Sequence, residues 1–303
     1  MSIPKSLPIP KITSNWVPAF KHMRLLLNTI MLEVNRWTAD KILTQPLADL
    51  LPNLQTAGFN TLEIWQYHIS RLDDDAFADL KIRLDEHALQ IVALSAYPLL
   101  HLDGSAGDDA AAELERIVVR AATLGATTCK IFPGRIASAV ADDTVWHRSI
   151  DRLRALAERL GHSGMDLTLE THKDTLCDTL ESTTRLLTDL SDVANLGICF
   201  QPYASQNTEQ VLTFYDVLAP TIRHIHLQNR TCTDNVRSLL ADGDWYDCGQ
   251  LLRRARARGF DGLLSLEFTA GLFPQKGQTF DPQTVIDNAI IDRQFVRNTW
   301  KTD

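Results

Sequence analysis

Acidic side chains close two apolar, alternating runs of this sequence. Residues 165–172 read MDLTLETH, with Glu170 ending the alternation and His172 two places on; residues 262–268 read GLLSLEF, with Glu267 in the matching place. Four further runs carry polar groups among apolar ones: NTLEIW (60–65) holds Glu63, TTCKIF (127–132) Lys130, NLGICFQ (195–201) Gln201 and IRHIHLQ (222–228) His226. In a strand, successive side chains take opposite faces, so Glu170 shares a face with Thr168, His226 with His224, and Glu267 with Ser265. The leucines and isoleucines between them face the other way. A carboxylate on such a face is costly to bury unless something compensates its charge. Two carboxylates, an imidazole and an amide oxygen converging on one point make a site for a divalent cation, which takes oxygen and nitrogen ligands.

Positioning these groups needs a scaffold that brings distant strand ends together. Two more apolar runs, RLLLNTI near 24–30 and LQIVALSA near 89–96, make eight in all. Stretches with helical period lie between them. In 142–161, Trp146, Ile150, Leu153, Ala157 and Leu160 mark one helix face, and Gly161 is the expected cap. In 108–125, Asp108 or Asp109 is the expected start and Gly125 the end; LLRRARARG ends at Gly259 with arginines in its last turns. Eight strand–helix units predict an α/β fold, a closed (β/α)8 TIM barrel forming one domain over residues 21–303, after a Pro-rich extension over 1–20. The competing open sheet lacks the glycine-rich phosphate turn it would use after its first strand. In such barrels the active site lies at the C-terminal strand ends, where Glu63, Lys130, Glu170, Gln201, His226 and Glu267 fall.

Composition narrows the classes of partner. Thirty basic against 38 acidic residues give a net charge of −8, which disfavours nucleic acid. No apolar run approaches the roughly 20 residues of a membrane helix, and residues 1–16 show no signal-peptide core, so a cytoplasmic protein with no membrane partner is expected. Five cysteines without a CxxC pair suggest buried thiols, not disulfides or a thiolate zinc site.

E-x-H at the fifth strand end, H-x-H-L on the seventh, and GDWYDCGQLLRRARARGFDGLLSLEF in the eighth unit resemble the xylose isomerase-like superfamily, in its sugar phosphate isomerase/epimerase branch. The likeness runs over about residues 24–300. It implies one divalent metal, typically Mn²⁺, with Mg²⁺, Co²⁺ or Zn²⁺ as alternatives, held by Glu170, Gln201, His226 and Glu267. It also implies that Glu170 and Glu267 act as acid and base, moving a proton through an enediolate held on the metal. At strand six the family shows D-x-x-H where this chain has Gln201-Pro202-Tyr203-Ala204, so the ligand set has two carboxylates in place of three and lacks the family's substrate-contacting histidine.

Around that set, His172, Arg230, His68, Glu63, Lys130 and Trp65 are the expected substrate contacts. The plain alternatives are a helix-entry residue for His172, a surface arginine for Arg230, and internal ion pairs for Glu63 and Lys130. Asp244, Trp245 and Tyr246 lie in an inserted loop that could form a lid. The expected function is a sugar, keto-sugar or cyclitol isomerase or epimerase on a small carbohydrate. Rivals are a dehydratase or lyase acting on a keto-sugar or keto-glycoside, and a non-catalytic sugar-binding barrel. The superfamily's endonuclease branch, with its richer three-zinc cluster, is disfavoured by the sparse ligands and the acidic charge. A homodimer or homotetramer is expected by the same resemblance.

Overall fold

The computed structural model describes residues 24–273 and 279–301. The N-terminal extension expected over residues 1–20 lies outside the described residues. Eight parallel strands close into a barrel: β1 (Arg24–Asn28), β2 (Thr61–Trp65), β3 (Gln90–Ala96), β4 (Thr128–Ile131), β5 (Asp166–Glu170), β6 (Leu196–Phe200), β7 (Ile222–Leu227) and β10 (Leu263–Leu266), with β10 pairing both β7 and β1. All eight apolar runs are therefore strands, and closure rules out the open sheet. An antiparallel hairpin, β8 (Asn229–Arg230) and β9 (Arg237–Ser238), follows β7.

Helices α1 (Leu51–Thr56), α2 (Tyr67–Ser70), α3 (Asp74–Glu86), α4 (Gly104–Thr123), α5 (Asp143–His162), α6 (Leu180–Asp189), α7 (Thr208–Leu218), α8 (Cys248–Ala257) and α9 (Pro282–Lys301) connect the strands. Helix α5 buries Trp146, Ile150, Leu153, Ala157 and Leu160, the stripe its period predicts, and is capped by Asp142, whose side chain accepts the Val145 N–H. Two expected caps are corrected. Helix α5 continues through Gly161 to His162, and the left-handed residue after it is Gly164 at φ +68°. Helix α4 starts at Gly104, capped by Asp103, because the chain before Asp108 is already helical. Gly125, at φ +95°, does follow α4 as expected.

Strand parity also holds. Leu167, Leu169, Ile225, Leu227, Leu264 and Leu266 pack outward into the main core beneath the helices. Inside, Leu26, Val92, Ala93 and Leu263 form a separate apolar floor. Above that floor the barrel interior turns polar.

Candidate active site

Register places the polar groups in layers. Ser265 lies beside His226 and Leu263 beside His224 across β10 and β7, and Lys130 lies beside Thr168 across β4 and β5. The pairing slips by one residue at Leu62/Glu63 and at Ile198/Cys199, and such irregularities re-aim side chains beside functional sites.

Glu63 is fully buried. Its carboxylate accepts from His226 Nε2 at 3.1 and 3.2 Å and from the Ser265 hydroxyl, and it lies 3.5 Å from His224 Nε2. Burial works against its charge, but the two imidazoles outweigh burial and hold its carboxyl well below the usual range. With Nε2 committed to Glu63, His226 turns Nδ1 toward Glu170 Oε1 at 3.7 Å and Glu267 Oε1 at 3.5 Å. A carboxylate bond to the far imidazole nitrogen is how metal-ligating histidines are oriented.

Glu170, His226 and Glu267 each offer a donor atom within 4.8 Å of the others. His226 Nδ1 and Glu170 Oε1 are buried and make no hydrogen bond, while Glu170 Oε2 is ion-paired with Lys130. Unsatisfied buried polar atoms call for an explanation, and a cation supplies one. Burial opposes charge on His226, yet Cys199 and the carboxylates of Glu63, Glu267 and Glu170 together push its pKa well above the ordinary value.

Gln201 is 7% exposed and its Oε1 is buried without a hydrogen bond. The Thr171 hydroxyl brackets its backbone, donating to the Gln201 carbonyl at 2.8 Å and accepting the Gln201 N–H at 2.8 Å. Glu170, His226 and Glu267 thus bring together oxygen and nitrogen donors of the kinds a divalent ion takes, and Gln201 has an amide oxygen without a hydrogen bond. Gln201 also lines a cavity of about 90 Å³ at the barrel mouth, together with His172, Arg230, Gln228, Arg237 and Trp245.

The other expected substrate contacts separate into two groups. His172 and Arg230 reach the mouth cavity. His172 stacks on Phe132 with centroids 4.6 Å apart, and the Arg230 guanidinium lies over Trp245 at 4.2 Å while donating to the Ala204 carbonyl. Glu63, Lys130, His68 and Trp65 are all buried and lie apart from that cavity. Trp65 packs edge-on against Tyr67 and His68. The inserted loop is pinned down: the Asn229 amide donates to the carbonyls of Leu240, Gly243 and Tyr246, and a Cβ at Gly243 would fall 2.3 Å from the Asn229 side chain. Trp245 and Tyr246 are buried, so this loop forms wall instead of lid.

His68 carries a pH signature. The Thr29 hydroxyl accepts the Trp65 N–H at 2.9 Å and is hydrogen-bonded to His68 Nδ1, also at 2.9 Å. Burial lowers the His68 pKa to about 3. An unfolded chain takes up this proton near pH 6.5, whereas the native chain resists it until about pH 3. The contribution to stability is therefore complete above pH 6.5 and is lost as pH falls toward 3. Chemical denaturation at stepped pH should show H68Q flattening that loss relative to wild type; parallel curves would refute it.

Sequence reasoning passed over two residues of this site. Gln228 follows His226 at the same parity, so its place was legible; its Nε2 donates to Glu267 Oε2 at 2.7 Å. Arg237 had no strand signal, because it enters from the hairpin, where its guanidinium lies 5.0 Å from the Phe268 ring.

A family model described as xylose isomerase-like TIM barrel matches residues 51–288. The chain belongs to that family. Among curated relatives of this xylose isomerase-like barrel is a 3-dehydroshikimate dehydratase from Bacillus anthracis, 28% identical over 183 residues, spanning 58% of this chain and 64% of the relative. The D-psicose 3-epimerase of Clostridium cellulolyticum H10, solved with D-tagatose, superposes with a TM-score of 0.70 at 15% identity, covering 92% of this chain and 100% of that one. A xylose isomerase-like TIM barrel protein from Mycobacterium smegmatis, solved in complex with magnesium, superposes with a TM-score of 0.68 at 17% identity, covering 92% and 98%. At these identities the structural likeness establishes the fold. Among the described residues, no helix is long and apolar enough to cross a membrane.

Proposed function

We propose that this protein is a divalent-metal-dependent enzyme that moves a proton next to the carbonyl of a small sugar, keto-sugar or related polyhydroxy ketone. The observation that carries this reading is the convergence of Glu170, His226 and Glu267 on one point, with His226 Nδ1 and Glu170 Oε1 left without hydrogen bonds. Glu170, Gln201, His226 and Glu267 would hold the ion, with Mn²⁺ the leading candidate. When bound, it would polarise carbonyl and hydroxyl oxygens as a Lewis acid. The glutamates would supply the carboxylates that take up and return the proton. His172 and Arg230 offer contacts for a substrate in the mouth cavity. Glu63, in this reading, acts through His226 instead of touching substrate.

Two outcomes for the deprotonated substrate remain chemically close: reprotonation, giving an isomer or epimer, and expulsion of a neighbouring hydroxyl, giving a dehydratase. The second is favoured by the dehydratase match. A binding barrel without catalysis is disfavoured by the buried carboxylate pair, which a sugar receptor does not need.

Protein purified without chelator is expected to carry close to one divalent ion per chain by elemental analysis. In D₂O it should incorporate deuterium next to the carbonyl of D-tagatose, D-fructose or 3-dehydroshikimate. Mass loss of water separates the dehydratase from the isomerase. Absence of both metal and exchange would remove the proposal.

A further inference from the structure

The two glutamates differ in what already touches them. Lys130 Nζ lies 2.6 Å from Glu170 Oε2, with the two side chains 0% and 1% exposed. Register explains the meeting: Lys130 sits beside Thr168, so Glu170 is the next inward side chain along β5, within reach of the lysine stem. Aromatic faces enclose the ammonium, with the Tyr97 centroid at 4.1 Å and that of Phe132 at 5.2 Å. Glu267 instead meets the neutral Gln228 amide, at 2.7 Å.

We propose that Lys130 is the resident counter-ion of Glu170, a positioning residue that presents this carboxylate to the ion through one oxygen and sets the affinity of the site. This inference rests on the divalent-ion reading above. With Oε2 held by the ammonium, Oε1 is the oxygen that faces His226 Nδ1, at 3.7 Å. Chelation through both oxygens is thereby blocked. The ammonium also repels a divalent ion a few ångströms away, and in a dry interior that repulsion is strong. Glu170 then serves as a ligand held in one pose, while Glu267, with no lysine or arginine ion pair among the described residues, keeps lone pairs for a substrate proton. The two strand-ending glutamates look equivalent in the sequence, but their roles divide.

The test is Mn²⁺ binding to the full-length chain, followed by titration calorimetry and by the melting temperature with and without Mn²⁺. K130M should bind Mn²⁺ about tenfold tighter or more, because a nearby like charge is gone. It should melt lower in chelator than wild type, since Glu170 loses its partner, and gain more from added Mn²⁺. K130R, which keeps the charge, should stay near wild-type affinity. If K130M does not fold, K130Q carries the same comparison while keeping a hydrogen bond to Glu170. Equal or weaker Mn²⁺ binding in the uncharged variant overturns the role of Lys130. Failure of wild type and every variant to bind Mn²⁺ overturns the metal reading itself.

Discussion

E267Q is expected to lower kcat/KM for proton exchange by about 10³-fold or more, the range lost when a general base is removed. Glu267 is the carboxylate with its Oε2 steadied by Gln228 and its Oε1 facing His226 Nδ1, at 3.5 Å. Glutamine keeps the shape but has no lone pair basic enough to take a proton. The variant also loses a charge from the proposed metal site, so its Mn²⁺ affinity should fall. Rates are therefore to be compared at Mn²⁺ concentrations that saturate each protein by direct titration, which separates loss of the ion from loss of the base. Exchange within a factor of about ten of wild type under those conditions would show that the proton goes elsewhere.

The second large effect is expected at Glu63, which is fully buried and holds both histidines of β7. E63A leaves the imidazoles of His224 and His226 without their carboxylate and opens a cavity beside Ser265. Breaking a buried ion pair from one side costs about 3–5 kcal/mol. Urea denaturation should show that loss as a lower midpoint with an unchanged slope; a loss below about 1 kcal/mol would mean the cluster relaxes around the gap. E63Q preserves volume and one acceptor, so the fold should survive. Its Mn²⁺ affinity should drop about 10–100-fold, as for other groups that orient a ligating imidazole. The pH dependence has a definite sign. The folded Glu63 carboxyl titrates below its unfolded value, so its contribution is present above the unfolded pKa and disappears as pH falls through the acid range. E63Q should lack that acid-dependent loss.

Strand count, parity and the identity of the converging carboxylates were legible because each depends on local alternation. Leu169 outward and Glu170 inward follow from a two-residue period, and the barrel follows from repeating that period eight times with helices between. Helix limits were less legible. Asp108 and Asp103 are equally good caps in isolation, and the true start at Gly104 depends on how the chain leaves β3. The loop holding Trp245 read as a lid because nothing local shows that Asn229 pins its carbonyls.

The sequence by itself determined which residues face the barrel axis, and hence that Glu170, Gln201, His226 and Glu267 share one end of it. Tertiary structure alone decided who touches whom. Glu63, an expected substrate contact, is joined to His226 from a strand that is not its neighbour, and Lys130 takes one oxygen of Glu170 while Gln228 takes one of Glu267. Those pairings depend on barrel closure, strand stagger and two register slips, which are properties of the whole ring of strands and are written in no single segment.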